Sequence, residues 1–278
     1  MQTTLNCRGK LLILDSPIVM GILNITPDSF FDGGKFSGEK EILSHFEKML
    51  SEGATIIDVG GQSTRPKAEM IPADEELRRV IPVIELLAKN FPDAIISIDT
   101  FRSVVAQQAI EAGASIVNDV SGATMDEKMF ATVGKLSAPY ILMHMQGTPE
   151  TMQQNPHYEN VVLEVKEFFK QKIPLLRAAG VHDIILDVGF GFGKNVEHNF
   201  SLLKHLSEFQ IFNLPVLVGV SRKSMINRVL KTTPAEALNG TTVLNSIALM
   251  NGATILRVHD VREATQAIQL FNQYHVAD

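Results

Sequence analysis

Carboxylate, amide and basic side chains recur in this chain at one kind of place, the end of a short apolar run. In order they are Asn24, Asp58 with the following Ser63, Thr64 and Arg65, Asp99, Asn118 with Asp119, His144, Asp187, Ser221 to Ser224, and Arg257 with His259. One Asp or Asn after a strand is commonly just a helix N-cap. Eight such ends in one chain are too many for that reading alone. Asn118 and Arg257 lie within apolar runs, and burying such groups without partners would cost roughly 1–3 kcal/mol or more, so a ligand or polar network is expected to receive them. Asp99, Asn118 and Asp187 offer a carboxylate, an amide and a second carboxylate. That set can pair with the donor and acceptor edge of a flat heterocycle, and two acids with no basic neighbour in sequence point to a ligand rich in N–H donors. Residues 219–224 and 257–259 place hydroxyls and cations at the last two strand ends, the quarter of many barrels that binds phosphate. A diphosphate ligand is therefore expected on the opposite rim.

Such groups need a scaffold that brings eight chain segments to one mouth. The runs 18–24, 56–60, 95–100, 116–120, 140–144, 184–189, 216–220 and 255–259 are apolar on consecutive positions, as strands buried on both faces require. Helical spacing separates them, for example Ile42, Phe46, Met49 and Leu50, then Leu77, Val80, Ile81 and Ile84. A weak repeat recurs at Gly53-Ala54-Thr55-Ile56-Ile57-Asp58, Gly113-Ala114-Ser115-Ile116-Val117-Asn118 and Gly252-Ala253-Thr254-Ile255-Leu256-Arg257. Each copy reads as a helix stop followed by a buried strand. At about 33 residues per strand–helix unit, the prediction is one α/β domain, a (β/α)8 TIM barrel over residues 18–278. Residues 1–17, with a turn at Arg8-Gly9-Lys10, are expected to form a short N-terminal β-hairpin closing the barrel floor. An open doubly wound sheet fits eight even units less well.

Composition narrows the function. Of 278 residues, 45% are apolar and 20% charged, the profile of an ordinary globular protein. Twenty-five Lys and Arg against 31 Asp and Glu leave a charge of −6, which disfavours a nucleic-acid partner. No uncharged run is long enough for a bilayer, the single cysteine cannot form an intrachain disulfide, and no export signal is visible, so a cytoplasmic protein with no membrane partner is expected. Residues 189–195 look superficially like a phosphate loop, but Val188 stands where its first Gly belongs and Asn195 where Ser or Thr should follow. Scattered histidines and one cysteine argue against structural zinc.

The motifs Met20-Gly21-Ile22-Leu23-Asn24-Ile25-Thr26-Pro27-Asp28-Ser29-Phe30, Ser63-Thr64-Arg65-Pro66, Ile98-Asp99-Thr100, Val117-Asn118-Asp119, Leu142-Met143-His144-Met145, residues 186–194, Ser221-Arg222-Lys223-Ser224 and Arg257-Val258-His259-Asp260 closely resemble the dihydropteroate synthase family, in order along the barrel. The resemblance implies condensation of 6-hydroxymethyl-7,8-dihydropterin diphosphate with para-aminobenzoate, giving 7,8-dihydropteroate and diphosphate, with Mg2+ as cofactor. Carried over by position, it implies a pterin pocket of Asp99, Asn118, Asp187 and Lys223 walled by Met143, Phe192 and Gly219. It implies diphosphate contacts from Asn24, Thr64, Arg65, Arg257 and His259, with Asn24 the metal ligand. Phe30, Pro66, Lys223 and Ser224 resemble the para-aminobenzoate contacts, and Asp32 the loop acid that helps close the site. Asp99, Lys223, Arg65 and Asp32 would carry catalysis, by an SN1-like route. The family usually has Glu at Gln62 and Pro at Val188, departures that touch loop conformation. A homodimer packed through outer helices is implied, as is sulfonamide binding. The loops 26–34 and 61–69 are expected to be mobile in the free protein and to settle before para-aminobenzoate enters. Alternatives are a methyltetrahydrofolate methyltransferase barrel, which has no diphosphate leaving group, and a catalytically silent folate-complex scaffold.

Overall fold

Strands that carry apolar residues on consecutive positions must be covered on both faces, and the chain does this by closing eight parallel strands on themselves. In the computed structural model the described residues are 3–25, 35–63, 69–149, 151, 152 and 154–277, with the side chains of residues 35–37 left aside. The barrel strands are β3 (Ile18–Asn24), β4 (Ala54–Gly60), β5 (Ile95–Asp99), β6 (Ile116–Asp119), β7 (Tyr140–Met143), β8 (Ile184–Asp187), β9 (Val216–Val218) and β10 (Ile255–Val258). They pair in chain order, and β10 closes onto β3 with Ile255 opposite Ile18. Around them run α1 (Lys35–Ser51), α2 (Ala73–Asn90), α3 (Ser103–Ala112), α4 (Met129–Leu136), α5 (Val161–Ala178), α6 (Val196–Lys204), α7 (Ser224–Leu230), α8 (Leu238–Met250) and α9 (Val261–Val276).

Alternation along the strands makes two cores. One set of strand residues, including Val19, Ile57, Ile98, Leu142, Leu186 and Val258, packs outward against the helices. The other set, Met20, Ile56, Ile116, Ile141, Ile185, Leu217 and Ile255, fills the barrel interior, each buried side chain contributing roughly 1.5–3 kcal/mol relative to exposure. Beneath this layer, β1 (Thr3–Cys7) and β2 (Lys10–Leu14) form an antiparallel hairpin that adds buried Leu5 and Cys7 to the same cluster. The hairpin turns at Arg8 and Gly9, both with positive φ (55° and 82°), the twist that two-residue hairpins favour. Asn6 N donates to Asp183 Oδ2 at 2.7 Å and Lys10 pairs with Asp93 at 2.9 Å, tethering the hairpin to the barrel base.

The expected helix stops hold: Gly53, Gly113 and Gly252 take φ of 105°, 133° and 91° just before β4, β6 and β10. The later strands end one or two residues sooner than their apolar runs. At the end of β8, Gly189 N donates to Asp187 Oδ1 at 2.7 Å with Gly189 at φ 71°, so a side-chain turn replaces the ladder before the apolar run is over. Among the described residues no helix is long and apolar enough to cross a membrane.

Candidate active site

Barrel closure brings together, at the C-terminal strand ends, residues up to 199 positions apart. Arg257 near the end of β10 donates from Nε to Asp58 Oδ2 at 2.7 Å and from Nη2 to Asp99 Oδ2 at 2.6 Å. Asn118 Nδ2 donates to the same Asp58 oxygen at 2.9 Å. Asp58, Asp99 and Asn118 are buried, and both Asp58 Oδ1 and Asp99 Oδ1 lack a hydrogen-bond partner although no water reaches them. Buried carboxylate oxygens without donors are an energetic cost that a purely structural cluster would avoid. Burial raises the Asp99 carboxyl to about 7; Arg257 opposes the shift, and Asp58, Glu76 and Asp119 add to it.

This geometry adds two features to the sequence reading. In space, though not in sequence, the acids have a basic neighbour, since Arg257 pairs with Asp58 and Asp99. Asp58, which the sequence offered among the polar strand ends without a role, is the hub of these contacts. It lies inside an apolar run, and nothing local signals partners 60 and 199 positions away. Asp119, by contrast, is consumed by its own turn, accepting from Ser121 N, Ser121 Oγ, Ala123 N and Tyr140 OH at 2.6–2.9 Å.

Across the mouth, Asp187 at the end of β8 is buried and its carboxyl is raised by that burial, with Lys223 and the Gly189 N–H opposing. Half-buried Lys223 donates to the Phe190 carbonyl, and its Nζ lies 4.7 Å from the Phe192 ring centroid. Burial lowers Lys223 to about 8, with Asp187 holding it up. Two glycines leave room for this cation: a Cβ on Gly191 would lie 3.2 Å from Lys223 Cδ, and one on Gly219 3.8 Å from Lys223 Nζ. Phe101, Val120, Met143 and Met145 pack with Phe192 into an apolar cluster beside these polar groups. Carboxylates, thioether and phenyl groups and the Lys223 cation thus meet at the C-terminal strand ends.

At the rim, His259 Nδ1 and Ser221 Oγ are 3.0 Å apart, and Ser221 Oγ also accepts from His259 N at 3.2 Å. Arg222 is turned away into an ion pair with Asp260. Asn24, exposed at the end of β3, lies beside Asp99 over Gly60, where an added Cβ would be 3.4 Å from Asp99 Cβ and 3.6 Å from Asn24 Oδ1. Ser224 is exposed at the start of α7. Phe30, Asp32, Thr64, Arg65 and Pro66, and with them most of loops 26–34 and 61–69, lie outside the described residues. Gln62 just before the second loop is buried, donates to Ser63 O and Glu69 O at 2.8 and 3.0 Å, and accepts from Ile71 N at 2.9 Å. Among the described residues no three His, Cys, Asp or Glu side chains group as a metal site.

A sequence profile of the family described as pterin binding enzyme matches residues 20–259. Dihydropteroate synthase of Escherichia coli (strain K12) is 47% identical over 265 residues, covering 95% of this chain and 93% of that one. The crystal structure of the Yersinia pestis dihydropteroate synthase with a sulfonamide drug complex is 44% identical, covers both chains fully, and superposes with a TM-score of 0.92. Dihydropteroate synthase from Xanthomonas albilineans in complex with 7,8-dihydropteroate is 37% identical at a TM-score of 0.88, covering 99% of this chain and 100% of that one. The chain belongs to the pterin-binding enzymes and, within them, to the dihydropteroate synthase family.

Proposed function

We propose that this protein is a transferase that condenses 6-hydroxymethyl-7,8-dihydropterin diphosphate with para-aminobenzoate to 7,8-dihydropteroate and diphosphate, the step that makes the pteroate skeleton of folate. The observation that carries the reading is the cluster of buried polar side chains, Asp99, Asn118 and Asp187, at the C-terminal strand ends of one barrel mouth, with Lys223 across from them. An aminopterin edge presents N–H donors and ring acceptors that two carboxylates and an amide can pair with. Asp99, Asn118, Asp187 and Lys223 would bind the pterin edge, with Met143, Phe192 and Gly219 as its walls. Asn24, Thr64, Arg65, Arg257 and His259 would face the diphosphate. Phe30, Pro66, Lys223 and Ser224 would receive para-aminobenzoate, with Asp32 closing over it, and sulfonamides would compete there.

Charge placement gives each residue its work. The bond between the pterin methylene carbon and the diphosphate oxygen breaks with its electron pair going to oxygen. Arg65, Arg257 and His259 stabilise the charge that builds on that oxygen. Asp99 and Asp187 stabilise the complementary positive charge spread from the methylene into the ring. The neutral amine of para-aminobenzoate then forms the new N–C bond and loses its proton to water. An aryl amine is nucleophilic as it stands, so the site needs no side-chain base to activate it. Lys223 spans the ring edge and the benzoate carboxylate as a fixed cation.

Mg2+ fits the donor set. A hard cation that keeps most of its waters and takes diphosphate oxygens needs no carboxylate cage, and the exposed Asn24 amide beside Asp99 is a suitable single oxygen ligand. When bound, it would neutralise negative charge on the diphosphate. A cytoplasmic setting, in which buried Cys7 stays a free thiol, goes with the same reading. The direct test is to incubate the purified protein with the pterin diphosphate, para-aminobenzoate and Mg2+. Dihydropteroate and diphosphate should appear in equal amounts, and no product under saturating substrates would overturn the reading.

A homodimer through the outer helices is part of the proposal. Val243, Ile247 and Met250 of α8 and Leu270 and Tyr274 of α9 are all exposed, a contiguous apolar face of the kind that marks association. Light scattering should give twice the chain mass, and Leu270→Glu, burying a charge against an apolar partner, should give the monomer. A monomeric wild type would remove the dimer from the reading.

A further inference from the structure

The stretch discounted as a phosphate loop contains a cation that the reaction leaves unassigned. Lys194 is 2% exposed, yet its ammonium donates to the carbonyls of Phe192 (2.9 Å), Gly189 (3.0 Å) and His144 (3.3 Å) and meets His144 Nδ1 at 3.0 Å. All four partners are neutral groups; among the described residues no salt bridge satisfies it, and Asp187 is the opposite charge it feels most. Burial lowers Lys194 to about 7, and burial together with that ammonium holds the His144 imidazole well below its usual range. The ring is thus neutral, and Nδ1 can accept. A buried cation with only neutral partners costs stability and gives little back. Its presence calls for a task other than holding the fold.

That task is legible in what the loop carries. Asn199 Oδ1 accepts from Gly191 N at 2.7 Å, and Tyr158 OH donates to Gly193 O at 2.9 Å. A Cβ on Gly189 would fall 1.9 Å from the His144 carbonyl, so the loop lies flat on β7's end with no tolerance for another path. Its outer side presents two things to Lys223, the Phe190 carbonyl and the Phe192 ring. We propose that Lys194 is a positioning residue whose ammonium gathers the Gly189, Phe192 and His144 carbonyls, fixes the loop, and thereby sets the placement of Phe192 and Lys223 against the pterin. This rests on the reading of the site as a pterin pocket.

Lys194→Met removes the charge at nearly constant volume, and Lys194→Gln keeps donors for two of the carbonyls. A misplacement near 1 Å can cost about 100-fold, so Met should weaken 6-hydroxymethylpterin binding by calorimetry about 10- to 100-fold, with Gln between Met and wild type. The KM for pterin diphosphate should rise more than kcat falls. The melting temperature of the Met variant should fall little relative to the loss of binding, because the carbonyls left without the ammonium are offset by the buried charge that has gone. A lysine that merely held the fold would lose binding only in proportion to the fall in melting temperature, with Gln and Met alike. Wild-type pterin affinity in both variants would overturn the inference. So would a fall in binding that only tracks lost stability, with Gln no better than Met, or failure of both variants to fold. A wild-type protein that does not bind pterin would instead overturn the functional reading on which the inference stands.

Discussion

Replacing Arg257 by alanine is expected to destabilise the protein by about 3–5 kcal/mol, the usual cost of removing one partner from a buried ion pair. The guanidinium is the shared counter-ion of Asp58 and Asp99, and its removal leaves two carboxylates facing each other out of water. The loss should depend on pH with a definite sign. Asp99 is already raised above its unfolded value to about 7, so the folded state holds the proton more tightly and stability falls as pH rises across the range between the two values. Without Arg257 that pKa moves higher still, and the destabilisation should be larger at pH 8 than at pH 6, where a proton replaces the lost cation. Urea denaturation at the two pH values measures it. Asp58→Asn in the Arg257→Ala background should restore part of the stability, a coupling that independent sites would not show. An unfolding free energy within 1 kcal/mol of wild type would show that the ion pairs are not formed in solution. By position the family resemblance gave Arg257 to the diphosphate. Because Arg257 grips Asp99, pterin binding should weaken as well.

That difference shows where sequence reading stops. The eight strands were legible because a parallel barrel buries both faces of every strand, so each run announces itself by apolar residues on consecutive positions. Gly53, Gly113 and Gly252 marked the helix stops for an equally local reason, a positive φ. Polar strand ends pointed to Asp99, Asn118 and Asp187, and the barrel does bring them to one mouth. Partner choice was not legible. Arg257 meets Asp58 across 199 positions and Asp99 across 158, contacts decided by the closure of β10 on β3 and by register, which no local pattern encodes. Lys194 failed for a related reason: a lysine after a glycine-rich stretch reads as solvated or phosphate-bound, and only the folded loop turns three carbonyls onto it. Arg65 and its loop neighbours, which the sequence also picked out, lie outside the described residues.

Asp187→Asn should abolish most of the pterin affinity while leaving the fold in place. The carboxylate uses Oδ1 to accept from Gly189 N, and that bond sets the turn at the end of β8. An asparagine must keep its own carbonyl oxygen there to spare the turn, which obliges its NH2 to face the ligand. Two donors would then oppose the N–H edge of the pterin where an acceptor stood before. Hydrogen bonds to charged groups are worth about 1.5–3 kcal/mol, so the loss should be roughly 10- to 150-fold in Kd. A second effect adds to it. Asp187 is the main charge that keeps Lys223 protonated against its burial, at about 8, and in the amide variant the lysine pKa falls further. Lys223 in the variant should therefore give up its charge at a lower pH than in the wild type, a difference that comparison of pH 6.5 with pH 8 reads. The variant's defect should widen over that interval, since the cation beside Phe192 is lost sooner in the variant as pH rises. Calorimetric titration with 6-hydroxymethylpterin at both pH values tests the two effects separately. A constant ratio of variant to wild-type Kd would leave the acceptor role intact and remove the electrostatic link to Lys223, whereas unchanged binding at pH 6.5 would mean that Asp187 does not face the pterin.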